Sequence, residues 1–93
     1  MSRPVVDSGH VLGLSSAEAI TESATLHNES GENILSITNN GSNVIYVSGE
    51  AGVTSGNGYP LYVGESMLVK SKFYAVCATT ETSDLRMIKL MLV

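Results

Sequence analysis

The sequence predicts an all-β fold: a small antiparallel β-sandwich or flattened barrel of about six to eight strands, with an extended N-terminal arm. Three observations carry this. Turn clusters recur at intervals of roughly eight to twelve residues. The runs between them alternate apolar and polar side chains. No segment keeps a helical period strong enough to argue for α/β.

Residues 1–18 form the arm, and residues 19–93 form the β domain. Pro4 forbids helix at Arg3, and Gly9 and Gly13 are expected to break any regular element. Ser15-Ser16-Ala17-Glu18 has the form of a capping box, but Thr21, Ser23 and Thr25 disfavour a helix. Ile20–His27 therefore reads as extended, with a helical turn at Ser16–Ala19 as the lesser alternative. Glu29–Glu32 is a turn cluster. Ile34–Thr38 and Val44–Ser48 flank Asn39-Asn40-Gly41-Ser42-Asn43, and Asn-Gly between such runs predicts a hairpin.

Glu50–Tyr59 holds three glycines and reads as an ordered loop. Pro60–Val63 and Ser66–Val69 surround a tight turn at Gly64-Glu65. Phe73–Thr79 is apolar on both faces over much of its length, as a central strand should be. Leu85–Val93 is a last strand, with Leu85, Met87, Lys89, Met91 and Val93 on one face and Arg86, Ile88, Leu90 and Leu92 on the other.

The chain has 93 residues, enough for one domain. A domain of this size buries only roughly 60–65% of its unfolded surface. Apolar residues make up 43%, but aromatic residues only 5%, with no Trp. Val, Ile, Leu, Met and Ala must therefore build the core, and a core so small favours oligomerisation as a further source of burial. The net charge of −4 argues against binding a phosphate backbone, so no nucleic-acid partner is expected. The charge is uneven: residues 1–50 sum to −5 and residues 51–93 to +1. Such asymmetry suits head-to-tail docking, although two solvated faces that differ explain it more simply.

Cys77 is the only cysteine, so no intrachain disulfide is possible. In Phe73–Ala78 it reads as a small buried hydrophobe. No apolar run reaches the length of a membrane span, and Arg3, Asp7 and His10 do not make a signal peptide. The expectation is a soluble protein made in a reducing cytoplasm, with no membrane partner.

The candidate chemistry is thin. His10 and His27 have no Cys, Asp or His at a ligand spacing, so no metal is expected. Ser15, Ser16, His27 and Asp84 could nominally supply a triad, but there is no Gly-x-Ser-x-Gly elbow. Gly49–Gly52 and Gly56-Asn57-Gly58 lack the Gly-Lys-Ser/Thr of a phosphate loop. No catalytic residue and no cofactor is expected. Tyr59 and Tyr62 sit at a loop-rich rim where they could stack on a sugar or touch a partner. Tyrosines packed across strands or in an interface are the plainer reading, which also covers Tyr46 and Tyr74.

One succession of motifs goes further. It runs Asn39-Asn40-Gly41-Ser42, Val44-Ile45-Tyr46-Val47, Gly52-Val53-Thr54, Asn57-Gly58-Tyr59-Pro60-Leu61, Val63-Gly64-Glu65-Ser66 and Phe73-Tyr74-Ala75-Val76-Cys77-Ala78. This order of strands and turns, over about residues 35–90, resembles small virion-associated β domains of tailed bacteriophages. Tyr62-Val63-Gly64 stands where Pro-Gly often precedes Glu-Ser, and the arm has no counterpart. The resemblance implies a non-enzymatic structural protein made in the host cytoplasm and carried in the virion. The first expectation is a head decoration, or cement, protein on the capsid surface, with the major capsid protein as partner. A tail or neck adaptor is the alternative within that class, and a carbohydrate-binding β module is the alternative outside it.

The assembly expectation is a homo-oligomer, a trimer before a dimer. Val5, Val6, Val11, Leu12 and Leu14 of the arm and Leu90, Met91, Leu92 and Val93 of the last strand would form its contacts. The preference for three follows from the local threefold positions that capsid lattices offer. The alternative is a monomer whose arm folds back and closes its own sheet.

Overall fold

The computed structural model describes residues 10–92; for His10, Val11 and Leu92 it describes the backbone alone. Eight strands make two four-stranded antiparallel sheets. They are β1 (His10–Ile20), β2 (Thr25–His27), β3 (Ile34–Asn39), β4 (Ile45–Ser48), β5 (Tyr59–Leu61), β6 (Ser66–Val69), β7 (Phe73–Val76) and β8 (Ser83–Leu92). One sheet has the order β1-β8-β3-β6 and the other β2-β7-β4-β5. The all-β, two-sheet reading of the sequence is what the chain adopts, and the described residues include no helix.

Period-two alternation selects the facing side chains. In the first sheet the register stacks Met87–Ile37–Met67 and Lys89–Leu35–Val69 in rows. In the second, His27 lies beside Phe73, Ala75 beside Val47, and Ile45 beside Leu61. Ile20, Ile37, Ile45, Leu61, Leu85, Phe73 and Ala75 form the centre of the core between the sheets. Cys77 is buried among them, as the small-hydrophobe reading requires. A smaller cluster sits on the outer face of the second sheet. There the 49–58 loop folds back, burying Val53 and Val76. Gly58 allows the closure, since a Cβ at that position would reach within 2.7 Å of both Tyr46 and Val53.

Two sequence expectations are corrected. First, β3 and β4 do not pair. They lie in different sheets, and residues 40–44 arch from one to the other. Gly41 does not take a left-handed φ. It is needed because the loop presses on the start of β8, where a Cβ would collide with Ser83 Oγ and the Asp84 backbone nitrogen. Asn40 N donates to Asp84 O at 2.8 Å, and Asn43 Nδ2 donates to Thr82 O at 2.8 Å. These contacts hold the arch against β8 rather than closing a hairpin.

Second, residues 10–18 of the expected arm belong to β1, whose register with β8 runs from His10↔Leu92 to Ile20↔Ser83. Gly13 does not end the strand. It falls in a β-bulge between Leu12 and Ser15, close against Met91. β8 lies inside its sheet, with β1 on one side of it and β3 on the other. The turn at Gly64-Glu65 forms as expected, with Gly64 at φ +85°.

The three connections meet at Asn39, which is fully buried. Its Nδ2 donates to Asn43 O at 2.8 Å and to Leu61 O at 2.9 Å. Its Oδ1 accepts from Gly41 N at 3.1 Å and from Ser83 Oγ at 2.7 Å. Its backbone bonds the β5–β6 turn, with Asn39 N donating to Glu65 O and Gly64 N donating to Asn39 O. Replacing Asn39 by Ala strands the side-chain partners on the arch, on β5 and on β8, while the backbone bonds to the β5–β6 turn remain. The expected cost is about 3 kcal/mol or more in urea unfolding, whereas exposed Asn40→Ala should cost about 0.5 kcal/mol.

Candidate functional site

Four of the exposed apolar side chains, Leu12, Leu14, Leu68 and Met91, belong to the first sheet. On its outer face Leu90 lies between Leu12 and Ile34, and Ile88 lies in a row with Ser15, Ser36 and Leu68. Leu12 and Leu68 are each about half exposed, while Leu90 is buried. Together with half-buried Ile34 and Ile88 they make an apolar stripe crossing all four strands.

The inner face of the same sheet outruns its partner sheet. Leu14, 83% exposed, and half-exposed Met91 stand there. Below them opens a cleft of about 240 Å³, lined by Leu14, Ser15, Ser16, Asn28, Asn33, Leu35, Met87 and Lys89. Leu35 and Met87 give it an apolar floor, and Lys89 brings an ammonium. Asn28 adopts a left-handed φ of 53° at the turn after β2, which Asn tolerates better than most residues. Its Nδ2 donates to Asn33 O at 2.9 Å and Ser71 O at 3.0 Å, and its Oδ1 is buried without a partner.

Of the residues predicted from sequence, Leu12, Leu14, Leu90 and Met91 gather at this end, but on two faces: Leu12 and Leu90 outside, Leu14 and Met91 inside. Val11 pairs with Met91 and Leu92 with His10 through the backbone. Val5, Val6 and Val93 lie outside the described residues. Tyr59 and Tyr62 are 65% and 55% exposed at the opposite edge, where Val63 is exposed too. Sequence reasoning missed the cleft. Lys89 carried the only signal, as a charge in an otherwise apolar inward series.

Beside the cleft, His27 is buried, stacked on Phe73 with ring centroids 5.2 Å apart, and its Nε2 lies 2.8 Å from Thr25 Oγ1. Burial holds the imidazole below its ordinary value of 6.5, and the Glu18 carboxylate partly opposes this. Burial, then the charge of Glu81, pushes the Cys77 thiol up, so little thiolate forms near neutrality. Among the described residues no three His, Cys, Asp or Glu side chains gather as metal ligands would. No family model, curated protein or solved structure matches the chain.

The histidine sets a pH dependence. The unfolded chain binds a proton at His27 more readily than the folded one, so His27's contribution is complete above pH 6.5 and shrinks as the pH falls below it. Urea midpoints should therefore fall between about pH 7 and pH 5, and His27→Gln should flatten that slope. An equal slope in the variant would assign the pH dependence to other groups.

Proposed function

We propose that this chain is a non-enzymatic structural protein of a tailed-bacteriophage virion, a decoration protein that docks on the head and stabilises it. The observation that carries the reading is the apolar stripe Leu12–Leu90–Ile34–Ile88–Leu68 on the outer face of the first sheet. An apolar stripe across a four-stranded sheet face suits a broad subunit surface better than a small ligand. The resemblance of residues 35–90 to virion-associated β domains supplies the partner class, the major capsid protein. Binding only the assembled shell would stabilise that shell by mass action, and many copies would add their effects. A trimer placed at local threefold positions remains the preferred assembly, and a neck or tail position is the alternative within the virion.

A different observation favours a second reading. Exposed Tyr59 and Tyr62, three positions apart at the far edge, offer ring faces to a sugar. That reading makes the protein a carbohydrate-binding module.

Co-sedimentation with phage heads that lack the protein separates the two. Leu12→Asp with Leu68→Asp should leave stability within about 0.5 kcal/mol, since both side chains are half exposed, and weaken head binding about tenfold or more. Tyr59→Ala should leave head binding intact. Glycan-array binding lost in Tyr59→Ala, with no binding to heads, would replace the first reading by the second.

A further inference from the structure

We propose that the free edge of β1 and the neighbouring cleft form a β-augmentation site for an extended polypeptide carrying, on alternate residues, an acidic, a long apolar and a basic side chain. Among the described residues β1 ends its sheet and pairs only with β8, so the backbone groups along its other side are open there to a further strand. The bulge at Leu12–Ser15 interrupts that edge, which leaves Ser15–Ala19 as the regular stretch. Ser15, Ser16, Ala17 and Ala19 are small and exposed, so a strand can approach without a clash. Edges are commonly protected by Lys or Pro, and Glu18 is the only charge on this stretch.

The cleft selects the side chains. A strand added beside β1 presents alternate residues to the inner face. The register places Ser16 beside Met87 and Glu18 beside Leu85, while Lys89 lies opposite the bulge at Gly13 and Leu14. Next to Ser16, a long apolar side chain reaches across the small serine to the floor of Leu35 and Met87. Two positions toward Leu14, an acidic side chain meets Lys89. Two positions the other way, a basic side chain meets Glu18. The opposite charges at the two ends set the direction of the bound strand. This site lies on the edge and inner face, apart from the outer stripe, and does not depend on the virion reading.

The test uses the full chain and a synthetic nine-residue threonine-based peptide bearing aspartate, leucine and lysine on alternate residues. Amide NMR should show saturable shifts below about 1 mM peptide at Ser15–Ala19, Asn28 and Leu35, with slowed exchange along the β1 edge. Lys89→Glu should weaken binding about fivefold, and a peptide with lysine in place of aspartate should recover it. Lys70→Glu, outside the cleft, should change nothing. No shift at millimolar peptide, or shifts indifferent to both charge reversals, would overturn the proposal. So would a concentration-dependent dimer protecting the β1 edge without peptide, which would make a second copy the occupant. Head co-sedimentation run in parallel keeps the two ideas apart, because loss of peptide binding leaves the outer-face docking untouched.

Discussion

One buried amide holds this sandwich together. Asn39 ends β3 where three chain segments must meet: the arch to β4, the turn between β5 and β6, and the first residue of β8. Two packed sheets supply apolar burial but no backbone partners at their ends, where strands stop and chains cross. The Asn39 side chain satisfies groups on the arch, on β5 and on β8 at once, with no polar atom left over. A neutral amide can do this where a carboxylate could not, because two of its partners are carbonyl oxygens and need a donor. The close passage of Gly41 over Ser83 follows from the same convergence.

That node closes one side of the sandwich. On the β5 and β6 side the chain passes directly from one sheet to the other, through a turn braced by Glu65, whose Oε1 accepts from Tyr62 N at 2.9 Å. On the β1 and β2 side residues 21–24 also carry the chain from one sheet to the other, and two bonds tie that crossing to the segment after β7: Cys77 N donating to Thr21 O at 2.8 Å, and Thr80 N donating to Glu22 Oε2 at 2.8 Å. Beyond them β1 and β8 run on past the partner sheet. The long axis of 41 Å against a short axis of 18 Å reflects this overhang. The binding surfaces argued above therefore lie where the fold has surplus strand, not where its core is densest.

Much of the fold was legible in the residues. Alternation placed β3, β6, β7 and β8, and Gly64 marked its turn. What could not be read was which strands pair. Asn-Gly signals a tight turn because both residues tolerate positive φ, yet close approach selects glycine equally well, and only the tertiary path separates the two. The arm failed for a similar reason. Gly13 and the run of small polar residues after it look like breakers in isolation, but a bulge absorbs one and an edge strand tolerates the others. The candidate site was half legible. Exposed apolar residues at the chain's two ends were named, while their division between two faces depended on a register shifted by that bulge.

Lys89 shows how a break in a pattern can carry more meaning than the pattern. Leu85, Met87 and Lys89 share one face of β8, and simple alternation would place all three in the core. A core cannot take an unpaired ammonium at modest cost, so the strand must leave the core before it reaches residue 89. The structure agrees: Leu85 is fully buried, Met87 nearly so, and Lys89 lies at the cleft. The charge thus marks where the second sheet stops covering the first. An inward position with water beside it, an apolar floor beneath it and an open strand edge next to it has the physical requirements of a recognition pocket. The same geometry that limits the core creates the surface on which another chain can be read.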